Sequence, residues 1–177
     1  HQVKQRCQSL HTHYDIAVLP DVFYYDGPFN NSGPLPPRAN LPTTYTLVFR
    51  ISNSSNAVSA AELTTTLPNY VEWVNAVAPS VERNNVSYNT NTRQMTWKLG
   101  DLPSGLGVGT TQPRQLSVQI KVTPSVSQIG SDLDLTGEIL LSGSDDFTDT
   151  NLTFKKNPIV NNLQESQASS GNGQVMP

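Results

Sequence analysis

Residues 116–123 read Leu-Ser-Val-Gln-Ile-Lys-Val-Thr, apolar and polar side chains alternating without a fault. On an extended chain successive side chains point to opposite faces, so this pattern specifies a β-strand with one face in a core and the other in water. The same period returns at Tyr45, Leu47, Phe49 and Ile51, and again at Met95, Trp97 and Leu99. No window of similar length carries helical spacing. The expected fold is therefore all-β, with Tyr45, Leu47, Phe49, Trp97, Leu99, Leu116, Val118, Ile120 and Val122 in its core.

Composition narrows this further. Charged residues are only 14% of the chain, and 13 Pro with 11 Gly punctuate it. Few positions remain for the exposed face of a helix, and a two-layer sheet fold suits this texture. At 177 residues the chain can bury a sizeable core. Strands are expected at 14–25, broken at Pro20, then at 43–52, 58–67, 71–77, 85–89, 94–99, 115–124, 133–142 and 151–156. A proline inside the first places it at a sheet edge. Turn signals such as Asn53-Ser54-Ser55-Asn56 and Asn89-Thr90-Asn91 separate the runs, which is the spacing of a Greek-key sandwich of about seven to nine strands. Residues 1–13 read as a polar lead-in, 14–160 as the sandwich, and the Ser/Gly/Gln/Asn-rich stretch 161–177 as a flexible C-terminal tail or linker.

The same features exclude several functions. Net charge is −3 with Lys and Arg scattered, so nucleic acid is not an expected partner. Cys7 is the only cysteine, which rules out an intrachain disulfide. No apolar run approaches the roughly 20 residues of a membrane-spanning helix. The chain opens on His1 without a signal-peptide pattern, so any export signal or anchor is expected outside it.

Few residues invite chemistry. Cys7, His11 and His13 could ligate zinc, although solvated polar side chains are the plainer account of three such residues in an unanchored segment. Asp145, Asp146 and Asp149, with Asp132 and Asp134 as further donors, could offer oxygens to Ca²⁺, but Asp is also the ordinary turn residue after Gly143-Ser144. Lys98 and Glu138 are the candidates for an internal Lys–Asn crosslink, against which alternation turns Lys98 away from Trp97's face. Tyr24, Tyr25, Phe29, Tyr70 and Trp73 are candidate ligand-contact residues, an aromatic platform for stacking sugars if they are not simply core. With every histidine at or before position 13, no catalytic triad has an anchored base, and neither an enzyme nor a required cofactor is expected.

The succession Thr43-Thr44-Tyr45-Thr46, Asn53-Ser54-Ser55-Asn56, Leu67-Pro68-Asn69-Tyr70-Val71-Glu72-Trp73 and Met95-Thr96-Trp97-Lys98-Leu99-Gly100-Asp101-Leu102 resembles the conserved repeat domain of bacterial and archaeal cell-surface proteins. With Gly33-Pro34-Leu35-Pro36-Pro37, residues 122–130 and Asp145-Asp146-Phe147-Thr148, it looks most like the variant in surface proteins of ultrasmall candidate-phylum bacteria. The resemblance spans roughly residues 14–160. It implies an immunoglobulin-like sandwich, often in tandem arrays, at an extracellular, cell-surface location, and it carries no catalytic motif. The expectation is thus a non-catalytic structural or spacer module whose partners are neighbouring surface domains or copies of itself. One alternative is an adhesin that binds a partner-cell protein or glycan through loops such as 26–42 and 103–114. Another is a fibre or surface-layer subunit assembled by exchange of terminal strands.

Overall fold

A computed structural model of the chain describes residues 16–177. Nine strands form: β1 (Ile16–Phe23), β2 (Thr43–Asn53), β3 (Val58–Thr66), β4 (Val71–Ala78), β5 (Val86–Asn89), β6 (Gln94–Leu102), β7 (Arg114–Val122), β8 (Ile139–Asp145) and β9 (Asn151–Lys156). They build two antiparallel sheets, one ordered β1-β2-β7-β4 and the other β5-β6-β3-β8-β9. β7, arriving from the opposite sheet, wedges between β2 and β4. The fold is an all-β sandwich.

Its centre is where alternation is cleanest. Tyr45, Phe49, Trp97, Leu116, Val118, Ile120 and Val122 are fully buried, Leu47 is 1% exposed and Leu99 4%. β1 is an edge strand, with Pro20 opposite Phe49. Pro20 there costs the sheet no interior ladder bond, because only one side of β1 is paired.

The chain runs through the sandwich lengthwise. Ile16 pairs with Asn53 at one pole, where Asn53 Nδ2 also donates to Leu102 O at 3.2 Å. The loops 54–57, 103–113 and 146–150 share this entry pole. Phe23, Thr43, Val71, Val122, Gln94 and Lys156 lie at the opposite, exit pole, together with the long connections 24–42, 123–138 and 157–177.

Two expectations are corrected here. The strand expected at 133–142 is only partly formed, since β8 begins at Ile139. Leu133 and Leu135 alternate as strand residues do and are both buried, yet they pair through a single bridge, Asp134 with Val160. Gly137 then crosses so close to Thr66 that an added Cβ would lie 2.5 Å from its Oγ1. The second correction concerns 161–177, which packs against the exit pole instead of trailing as a flexible tail. Leu163 and Val175 are buried, as are Asn161, Glu165 and Asn172. Asn161 Oδ1 accepts from Leu133 N at 2.8 Å and its Nδ2 donates to Gly173 O at 2.9 Å. Asn172 holds Leu163 from both sides, accepting from its N at 2.8 Å and donating to its O at 3.2 Å. Polar side chains satisfy the main chain here, and satisfied polar groups can be buried without the desolvation cost of orphaned ones.

Candidate functional site

The seam between edge strands β4 and β5, close to the exit pole, opens as a groove of ≈ 430 Å³. β4 supplies Glu72 and Trp73, β5 supplies Tyr88, and β7 supplies Lys121, while Asn69, Tyr70, Thr90, Arg93 and Thr123 come from the turns around them. The register of β4 slips between Trp73 and Ala76, where Asn75 takes φ 56°. A bulge of this kind twists an edge and re-aims its side chains. Trp73 reaches across the seam and stacks on Tyr88, ring centroids 5.5 Å apart and planes 18° from parallel.

Arg93 fixes the floor. Its Nε donates to Leu67 O at 3.0 Å, and its Nη2 donates to Pro68 O at 2.7 Å and to Val71 O. The guanidinium is thereby spent on backbone carbonyls. Tyr70 is held by a 2.6 Å bond from its hydroxyl to Asp134 O, and burial, helped by the Asp134 charge, pushes its pKa up. Glu72 and Lys121, opposite one another in the register, form an ion pair at 3.0 Å. The groove combines flat aromatic surface with neutral hydrogen-bonding groups, and its charges are the Glu72–Lys121 pair and an Arg93 guanidinium turned to backbone carbonyls.

The structure separates the five expected aromatics. Tyr70 and Trp73 are in the groove. Tyr24, Tyr25 and Phe29 lie in the connection after β1, with Tyr24 edge-on to Tyr25 at 5.0 Å and to core Tyr45 at 6.3 Å. Their backbone is clamped from the far end of the chain, because the Glu165 carboxylate accepts from Tyr24 N, Tyr25 N and Asp26 N at 2.7, 2.9 and 2.6 Å. Tyr45's hydroxyl is buried beside Asn161 without a well-formed hydrogen bond, and burial pushes it up to about 12.

The acidic candidates are placed as turn residues. Asp145 Oδ1 accepts from Phe147 N at 2.8 Å and Thr148 N at 2.9 Å, and Asn56 Nδ2 donates to its Oδ2 at 3.1 Å. The Thr148 amide, followed by Asn56 and the Phe147 amide, holds its pKa down against the opposing effect of burial. Asp146 and Asp149 are exposed beside it. Lys98 is exposed, and Glu138 pairs with Lys155 at 3.6 Å, so the two crosslink candidates face solvent. Cys7, His11 and His13 lie outside the described residues.

Of the groove residues, sequence reading singled out only Tyr70 and Trp73 and missed the others, Tyr88, Arg93 and Lys121 among them, and it missed a buried charged node at Glu82. Glu82 sits in a short 3₁₀ turn, Ser80–Asn85, and is 5% exposed. Its carboxylate accepts from Arg114 Nε at 2.7 Å, Asn85 Nδ2 at 2.8 Å and Trp97 Nε1 at 3.0 Å. Arg114 also lies over the Trp97 ring, 5.6 Å from its centroid. Burial alone would raise the Glu82 pKa, but the Arg114, Asn85 and Trp97 bonds with the Arg114 charge lower it to about 2. The one available signal was a Glu and an Arg, each flanking an apolar run.

No protein-family model and no curated protein sequence matches the chain. Among solved structures it is similar to the full-length major pilin SpaD of Corynebacterium diphtheriae at 13% identity and a TM-score of 0.47, over 82% of this chain and 35% of that one. It is similar to BcpA, the major pilin subunit of Bacillus cereus, at 12% identity and a TM-score of 0.49, over 82% of this chain and 39% of that one. AvmM, which catalyses macrocyclization in alchivemycin A biosynthesis, matches at 9% identity and a TM-score of 0.32, covering 89% of this chain and 93% of that one. The chain thus spans well under half the length of the two pilins. No helix among the described residues is long and apolar enough to cross a membrane.

Proposed function

We propose that this chain is a non-catalytic structural module of a bacterial cell-surface protein, a rigid spacer whose partners are neighbouring surface domains or further copies of itself. The observation that carries this reading is the route of the chain. Between Ile16 and Met176 it runs from one pole of the sandwich, in β1, to the other. Both ends of the described residues are bonded into the fold. β1 is registered against β2 along its whole length, from Ile16 opposite Asn53 to Phe23 opposite Thr46. The last residues lie between two connections: Met176 N donates to Pro37 O at 2.8 Å and Ala39 N to Met176 O at 2.9 Å, while Val175 N donates to Ser131 O at 3.1 Å and Gly130 N to Val175 O at 2.8 Å. A module built this way sets a fixed distance and direction between whatever flanks it. Exposed apolar side chains gather at both poles, with Phe147 and Val108 at the entry and Leu41, Val126, Ile129 and Met176 at the exit. Such surface is where a neighbouring domain gains most by contact.

The resemblance to the repeat domain of bacterial surface proteins, and more narrowly to its variant in ultrasmall bacteria, agrees with an extracellular location. The test is small-angle scattering from two copies joined in series. An eleven-residue strand such as β2 spans about 35 Å, so the maximum dimension should grow by about that length relative to one copy. Two copies that fold back side by side would overturn the spacer reading.

A second reading, assembly by strand exchange, is favoured by one observation: the Val175–Met176 segment is paired in parallel with Ile129 on one side and Arg38 on the other. A segment held in this way can be supplied by a neighbour. Sedimentation velocity on the intact chain and on one ending at Gly173 separates the cases. Assembly that vanishes with the shortened chain supports exchange, and a monomer at every concentration removes it.

A further inference from the structure

We propose that the β4–β5 groove is a binding site for a neutral sugar, a pyranose ring seated against the Trp73–Tyr88 stack and hydrogen-bonded by Asn69, Thr90 and Thr123. This goes beyond the spacer role and stands or falls separately from it.

The choice of ligand follows from which groups in the groove are spent. Arg93 is committed to three carbonyls, and Lys121 is neutralised by Glu72. A phosphorylated or strongly acidic ligand would need free guanidinium or ammonium donors facing it, and among the described groove residues Arg93 Nε and Nη2 and the Lys121 ammonium are already engaged. β5 is a four-residue edge, too short to hold an added peptide strand by a long ladder. By contrast, the side chains of Asn69, Thr90 and Thr123 line the groove and are exposed, with no hydrogen bond to another side chain or to the main chain among the described residues. Together they offer amide and hydroxyl donors and acceptors at no net charge. A sugar ring matches that set, having an apolar face for an aromatic surface and a rim of hydroxyls.

The site is built before any ligand arrives. The β4 bulge aims Trp73, the stack on Tyr88 fixes its plane, and the Tyr70 bond to Asp134 O fixes the adjoining wall. Preorganised side chains lose less entropy on binding. The volume of ≈ 430 Å³ falls in the range of small-molecule sites.

The protein also carries its own reporter. Of its two tryptophans, Trp97 is fully buried in the core while Trp73 lines the groove. The experiment is tryptophan fluorescence and saturation-transfer NMR on the full chain, titrated with lactose, maltose, cellobiose and N,N′-diacetylchitobiose, with sulfate and a short acidic peptide as contrasting probes. A saturable response to at least one neutral disaccharide is expected, with Kd rising about tenfold in the Asn69→Ala/Thr90→Val double variant. Both residues are exposed, so the variant should keep the parent's Tm, and Thr123→Val provides a second test of the same wall. Silence to all four sugars, response to the charged probes alone, or binding that the variants leave unchanged would each overturn the proposal.

Discussion

The β2–β7 centre of the sandwich and the 157–177 segment at its exit pole are both buried, but by different physics. In the centre, burial rests mainly on apolar side chains, and the backbone bonds are made by the ladder itself, from Thr43 opposite Val122 to Ile51 opposite Arg114. In the exit segment there is little ladder, and beside the buried Ile159, Leu163 and Val175 the polar Asn161, Glu165 and Asn172 are buried to bond the main chain. The first kind of packing tolerates change according to volume, the second according to hydrogen-bond geometry. Order in this segment rests on buried amides and a carboxylate as well as on apolar side chains.

That contrast can be broken most forcefully in the centre. Phe49→Ala removes a fully buried ring and is expected to cost about 3–5 kcal/mol in a urea unfolding curve. If the exit segment is integral, Glu165→Ala should follow closely, because it strands three main-chain donors at Tyr24, Tyr25 and Asp26. A loss of about 2–4 kcal/mol within a single transition is expected. A loss near zero would mean that the segment is dispensable and the comparison false.

A pH series sharpens it from a third place. Glu82's pKa is depressed in the folded state, from 4.5 to about 2. Its contribution is therefore present above about 4.5 and is lost as pH falls toward about 2. Melting temperature should drop across that window, and Glu82→Gln should be less stable at neutral pH but flatter below it. The smallest expected effect is at the entry-pole turn. Added Ca²⁺ should leave the Tm unchanged, since the Asp145 oxygens already accept from Phe147, Thr148 and Asn56. A clear Ca²⁺-dependent rise would place a cation there after all.

How much of this could be read from the sequence follows the same division. Burial of the inward-facing apolar residues of β2, β6 and β7 was visible because their fate followed their own polarity, and Pro20 announced an edge, but burial of Thr46, Val48 and Ser117 on the alternate face of β2 and β7 was not. The exit segment was not visible, since Asn161, Glu165 and Asn172 look solvated until their partners at Leu133, Tyr24 and Leu163 are known. The groove was half visible. Tyr70 and Trp73 stood out as aromatics, but their neighbours Tyr88 and Arg93 are brought in by pairing between β5 and β6 and by the turn that follows β5. Tyr24, Tyr25 and Phe29, equally aromatic, belong to another connection altogether, because spacing along the chain does not report which sheet edge a residue reaches.

The role proposed for this module is to hold its two poles apart, and pulling on it tests that most directly. Load applied at residue 16 acts along β1, so its registered pairs with β2 resist together, while the exit is held on both sides of Val175 and Met176. Load applied at Ser55 and Phe147, both at the entry pole, opens β3 from β8 starting at one end. Single-molecule force spectroscopy with both attachment geometries should show pole-to-pole unfolding in one step at clearly the higher force. Equal or lower force along the pole-to-pole axis would contradict a load-bearing role.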